Sequence, residues 1–245
     1  MIRPAYHFDA NWKVWLFVLI LLPVLLRLGF WQLERAEEKR ALLARYEQQR
    51  SEPPLYPATL RALSSPERAA FRRVLLRGEF LANRSLLLDN QVLDGRVGYQ
   101  LLQPFLTDSG DSFLVNRGWL PGAPDRSVPG LPAQIGSVEI LASVYIPAGK
   151  PVLLAADDWS GAWPLRVQYI DVDRVAALLE RDLYPYVLRI EADQPGALTV
   201  RWPAVNTRPA KHTGYAVQWF AMSLALLLCG VFASLKRIAP GPGNA

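Results

Sequence analysis

Cysteine is almost absent: Cys229 is the single one in 245 residues. One thiol cannot close an intrachain disulfide, and it excludes Cys-based zinc and iron–sulfur centres. A domain of this size can hold a core without such staples, so their lack does not argue against an extracytoplasmic location. Histidine is nearly as scarce, with only His7 and His212. Neither a His-Glu-x-x-His zinc motif nor a glycine-rich phosphate loop occurs, and no paired-carboxylate pattern stands out. Asp157 and Asp158 are adjacent and expected at a loop surface. A basic block is missing too: 27 Lys and Arg are scattered among 22 Asp and Glu, for a net charge of +5. Such scattering gives no nucleic-acid arm, so nucleic acid is not an expected partner.

Two long apolar runs are present instead. The first spans Trp12 to Leu33 and carries no charge between Val14 and Leu26. Roughly 20 apolar residues cross a bilayer, and the run suffices if Arg27 snorkels to the far interface. Trp12, Trp15 and Trp31 stand near its ends, where interfacial aromatics concentrate. A cleaved signal peptide competes with an anchor here, but Arg27-Leu28-Gly29-Phe30-Trp31 offers no small-x-small cleavage site. The second run, Tyr215 to Leu235, has no charged residue and ends at Lys236 and Arg237. Basic residues flank both short tails, so both termini are expected in the cytoplasm. The long loop then faces the periplasm of a bacterial cell. The expected layout is a tail at 1–11, a span at 12–33, a periplasmic domain at 34–210, a span at 211–235 and a tail at 236–245.

The loop reads as α+β. Charge pairs over 34–50 predict a helix leaving the membrane, ended by Pro53, Pro54 and Pro57. Strands are predicted at 71–80, 85–92, 97–106, 112–117, 137–146, 163–170, 186–191 and 198–202. Asp94-Gly95 is the hairpin turn between the second and third. Asp171 is expected to cap a short helix through about Arg181. The domain is thus a mostly antiparallel sheet with one or two helices, with exposed loops at 121–132 and 147–151.

Four constellations carry candidate chemistry. Asp108-Ser109-Gly110-Asp111-Ser112 hints at a serine hydrolase, but a hairpin turn explains the same residues and no suitable histidine accompanies them. At the second span, His212, Tyr215, Trp219 and Ser223 fall on one helix face if the helix includes His212. An imidazole can be an axial haem-iron ligand, and aromatic walls suit a haem plane. An ordinary interfacial belt explains them as well, and Thr213 as N-cap would leave His212 off the helix. At the first span, Trp31, Arg35 and Lys39 form a slowly drifting stripe. Asn116-Arg117-Gly118-Trp119 ends a strand with an exposed-looking Arg and Trp, or else with packed ones.

Taken in order, Gly29-x-Trp31-Gln32-x-x-Arg35-x-x-x-Lys39, Val74-x-Leu76-x-Gly78-x-Phe80, Asn116-Arg117-Gly118-Trp119 and His212-x-x-Tyr215-Ala216-x-Gln218-Trp219-Phe220 resemble the signatures of the Surfeit locus protein 1 family. These are the cytochrome c oxidase assembly factors of bacteria and mitochondria. The resemblance implies an inner-membrane, non-enzymatic factor that helps insert haem a into subunit I of a haem-copper oxidase. It implies His212 as a haem a contact, with Tyr215, Trp219 and Trp31 lining the pocket. Subunit I, and possible contact with the haem a synthesis machinery, would fall to Arg35, Lys39, Asn116, Arg117, Trp119 and Gln218. A haem-free scaffold for subunit I and a membrane-anchored periplasmic enzyme are the competing expectations.

Overall fold

The computed structural model describes residues 6–63, 65–125, 127–132, 136–147, 149, 159, 162–202 and 208–237. Asp157 and Asp158 lie outside them. The fold is α+β and divides into two compact units, Met1–Arg45 with Ala204–Ala245, and Tyr46–Pro203.

The first unit is a helix pair. Helix α1 covers Trp12–Ser51, and its last turns belong to the second unit. The other long helix among the described residues is α5, Pro209–Ser234. Both α1 and α5 are long and apolar enough to cross a membrane. They run antiparallel: the Trp15 indole donates to the Ser234 hydroxyl at 3.0 Å at one end, and Gln32 meets His212 at the other. The seam is built from small residues. Val18, Leu25, Gly29 and Ala36 are buried on α1, and Ala216, Ser223, Gly230 and Ser234 on α5. Steps of seven and four residues keep each set on one face. Small side chains let two helices approach closely, which is the main source of attraction where lipid removes the hydrophobic drive. A methyl group added at Gly29 would sit 2.6 Å from the Phe220 ring. The Ser223 and Ser234 hydroxyls each bond back four residues, to the Trp219 and Gly230 carbonyls at 2.9 Å. No polar group is left bare at those positions.

Strand β1, Tyr6–Phe8, pairs antiparallel with the strand Leu235–Arg237 (β9). Lys236 forms an ion pair with Asp9 beside it. This ladder holds Tyr6–Phe8 and Leu235–Arg237 at the same end of the helix pair, as a two-pass arrangement requires. Three-residue strands carry no readable alternation, and none is predicted here.

The second unit is a sheet that closes on itself. Its strands are β2 Arg73–Phe80, β3 Leu86–Leu93, β4 Arg96–Thr107, β5 Ser112–Pro121, β6 Val138–Tyr145, β7 Leu165–Val167 and β8 Val187–Ile190. The order is β2-β6-β8-β5-β4-β3-β7, and β2 also pairs with β4, so five strands form a closed ring with β3 and β7 as a flap. Closure follows from β2: its first residues pair with β6, and Gly78–Phe80 turn to β4. Alternation points Val74, Leu76 and Phe80 of β2, and Ile140, Ala142 and Val144 of β6, into the ring. Phe105, Phe113, Val115, Leu188 and Ile190 complete that core. A second core packs Leu86, Leu102, Leu114, Leu165 and Val167 against Val175 of helix α4, Val172–Leu179. Asp171 caps α4 by accepting from the Arg174 amide at 3.1 Å. Asp94 and Gly95 form the tight β3–β4 turn, both with positive φ, as a two-residue hairpin loop demands.

Two expectations need correction. Residues 198–202 make no strand; only Trp119 and Thr199 bridge there. The 163–170 strand shrinks to Leu165–Val167. Between the first helix and β2, Pro57 and Pro66 open short helices, α2 Pro57–Arg61 and α3 Pro66–Ala69. Proline breaks a helix that precedes it but is preorganised for the first turn of one that follows.

Candidate functional site

Helix α5 begins earlier than Thr213. Its first turn opens at Pro209 after Arg208, so His212 lies on the helix. The Thr213 hydroxyl bonds the Pro209 carbonyl at 3.2 Å, four residues back, and accepts from Arg40 Nη2 at 3.0 Å. Thr213 is therefore a first-turn residue and a cross-helix contact, not the cap.

His212 is half-buried, and its Nδ1 lies 2.8 Å from the Gln32 amide oxygen. Among the described residues no partner is found for Nε2. Trp219 is half-buried along the same stripe, with Ala216 and Ser223 buried beside it. Tyr215 is exposed at the margin, with the Lys211 ammonium 5.9 Å from its ring centroid. Gln218 is exposed. His212, Trp219 and Ser223 thus border the seam with α1, with Tyr215 at its exposed margin.

Trp31, expected to line the pocket, is 44% exposed and carries the Arg35 guanidinium 5.9 Å from its ring. Arg35 also pairs with Glu38 at 2.6 Å on the exposed surface, a contact of small energetic value. One residue step turns a helix by about 100°, which puts Gln32 rather than Trp31 at the bond to His212. Lys39 is half-buried. Sequence reasoning passed over Gln32 as part of a motif. Its signal was spacing: Gln32 falls between Gly29 and Ala36 at seam intervals of three and four, a polar residue where the helices meet.

The second unit holds the Asn116-Arg117-Gly118-Trp119 run. Arg117 is not exposed, contrary to its appearance in the sequence: 2% of it is accessible. Its Nε donates to the Gly196 carbonyl at 2.6 Å, and Nη1 donates to Gln103 Oε1 and, at 3.0 Å, to the Pro132 carbonyl. Its guanidinium stacks 4.9 Å from the Phe80 ring centroid. Burial lowers its pKa to about 10. Gln103 passes the network on to the Ser85 hydroxyl at 2.8 Å. Asn116 is buried as well, donating to Gln100 Oε1 at 2.8 Å and accepting the Gly118 amide at 3.1 Å. Gly118 has φ +116°, and an added methyl would meet the Thr199 carbonyl at 2.9 Å, so glycine is required there. The half-buried Trp119 donates its indole N–H to the Gln91 carbonyl at 2.8 Å. These side chains hold strands and returning chain together, and Asn116 and Arg117 have no surface to offer a partner.

The serine turn is a turn: Ser109 donates to the Asp111 carboxylate at 2.9 Å, beside Thr107. A shallow cavity of about 390 Å³ near Asp111 is lined by Arg61, Glu180, Arg181 and Asp182. Arg61 pairs there with Asp111 at 2.8 Å and Asp182 at 3.1 Å, and no nucleophile–base pair lines it. Among the described residues no group of three or more His, Cys, Asp or Glu could hold a metal ion. A haem iron makes a smaller demand, one or two axial side chains. His212 fits it, with one ring nitrogen bonded and the other available.

A family model described as the SURF1 family matches residues 19–224. A SURF1-like protein of Rickettsia felis is 27% identical over 224 residues, covering 88% of this chain and 94% of that protein. An uncharacterized SURF1-like protein of Mycobacterium tuberculosis is 30% identical over 172 residues, covering 69% of this chain and 62% of that one. A SURF1-like protein of Monosiga brevicollis is 26% identical over 225 residues, 85% of this chain and 83% of its own. The family match takes in most of both apolar helices and the whole closed sheet between them, and the chain belongs to the SURF1 family.

Proposed function

We propose that this protein is a two-pass inner-membrane assembly factor for a haem-copper oxidase, and that it helps deliver haem a to subunit I. Family membership supports the assembly role. The observation that carries the haem step is the half-buried His212, held through Nδ1 on a helix pair apolar enough to lie in a bilayer. Basic residues on the short tails support a cytoplasmic side for both termini and a periplasmic side for the closed sheet.

The residues divide the work by their chemistry. His212 offers a neutral ring nitrogen to iron. Trp219 and Tyr215 supply flat apolar surface along the same helix. Arg40, bonded to Thr213, and Lys211, beside Tyr215, bring positive charge suited to the carboxylate-bearing edge of a porphyrin. Haem a, when bound, supplies the iron centre that the client oxidase uses, and this chain contributes binding and orientation rather than catalysis. In cells carrying His212→Ala, the client oxidase should lose more than half of its haem a. Oxidase with unchanged haem a content would contradict the haem step.

A haem-free scaffold for subunit I has one observation in its favour. Val92 and Val97 face each other at the β3–β4 hairpin tip and are 66% and 60% exposed. An apolar tip of that kind suits protein contact. If the scaffold account holds, polar substitutions there abolish co-purification with oxidase while His212→Ala leaves it untouched.

A further inference from the structure

Gln32 reaches from α1 across to α5 at one atom, Nδ1 of His212, at 2.8 Å. A neutral imidazole has one N–H and one lone pair, and which nitrogen carries the proton is set by the partner of the other. An amide oxygen accepts, so at this distance it selects the form protonated on Nδ1. The lone pair then resides on Nε2. Metal-bound histidines generally donate their other N–H to such an acceptor, which fixes the ring and raises the basicity of the ligating nitrogen. Two other bonds cross between the helices, Trp15 to Ser234 and Arg40 to Thr213, but each of those donors has its own acceptor and leaves the Gln32–His212 bond in place.

We propose that Gln32 is the positioning residue for His212: it holds the imidazole as the Nδ1-protonated form and so presents Nε2 as the haem-binding atom. This rests on His212 being the haem contact. The two claims separate because the tautomer can be read without haem. The chain has only two histidines, so ¹⁵N-histidine labelling of the full protein in detergent gives two ring systems, and a His7→Gln variant assigns them.

In haem-free wild type at pH 8, His212 should show a protonated, pyrrole-type Nδ1 and a pyridine-type Nε2. Gln32→Leu should lose that preference and Gln32→Glu should keep it. Haemin titrated into the same preparations should bind wild type and Gln32→Glu alike within a few-fold. It should bind Gln32→Leu about 10-fold or more weakly, and His212→Ala without the Soret shift of axial ligation. A helix-gluing role alone would leave the tautomer unmoved and the leucine variant's haemin affinity intact. Either that pair of results, or an Nε2-protonated His212 in wild type, overturns the role of Gln32 while leaving His212 as a haem contact. Equal haemin binding by wild type and His212→Ala overturns the haem contact itself, and the purpose assigned to Gln32 with it.

Discussion

The helix pair and the closed sheet use polar side chains in opposite ways. In the sheet, Arg117, Gln103, Asn116 and Ser85 are buried, and their bonds run to one another, to Gln100 and to the backbone. Every donor spent there fixes the path of the chain. In the helix pair, Gln32 and His212 are half-buried, and their bond satisfies Nδ1 while leaving Nε2. The first arrangement ties each of these buried side chains into the sheet and is structural. The second keeps capacity in reserve, which is what a binding site needs. Motifs that look equally polar in the sequence thus divide into those that make the fold and one that can meet a ligand.

Substitutions can break or sharpen that contrast. Arg117→Ala should have the largest effect. It removes a buried cation and strips Gln103 Oε1 and the Gly196 and Pro132 carbonyls of their donor. Unpaired buried groups cost about 1–3 kcal/mol each, so a loss of about 3 kcal/mol or more is expected in thermal or denaturant unfolding. Haemin affinity of the folded fraction should be unchanged. Gly29→Leu attacks the other unit: its side chain must displace the Phe220 ring. Overpacking of about 1–3 kcal/mol should splay the helices, and haemin affinity should fall while the sheet unfolds at the wild-type temperature.

Tyr184 provides a pH test confined to the sheet unit. Burial, reinforced by Tyr186, raises its phenol pKa to about 12 from an ordinary 10. The folded state then holds its proton after the unfolded state has lost one. Stability is full below pH 10 and falls by roughly 2 kcal/mol as the pH rises to 12. Tyr184→Phe should flatten that decline in alkaline unfolding curves and leave neutral stability nearly unchanged. The smallest effect belongs to Asp171→Ala, which removes the cap of α4. A loss of about 1 kcal/mol is expected by the same unfolding measurement.

Much of this was legible in the sequence. Apolar length announced both spanning helices, and alternation with Asp94-Gly95 announced the β3–β4 hairpin. Local chemistry sufficed because each signal lies within one element. The closure of the sheet was not legible, because it depends on β2 pairing with two different strands along its length. The burial of Arg117 was hidden for a similar reason: its acceptors come from Gln103, Pro132 and Gly196, far apart in the chain. His212 could be singled out from its helical spacing to Tyr215 and Trp219, but Gln32 could not be matched to it until the antiparallel register was known.

The most direct test of the central claim is the absorption spectrum of the purified full-length protein from cells that also make haem a. The wild-type protein should carry a haem a spectrum with axial histidine character, and His212→Ala should lose it while Arg117→Ala, in its folded fraction, keeps it. A wild-type preparation free of haem a, or a His212→Ala spectrum identical to wild type, would contradict the assignment of the helix pair as the haem site.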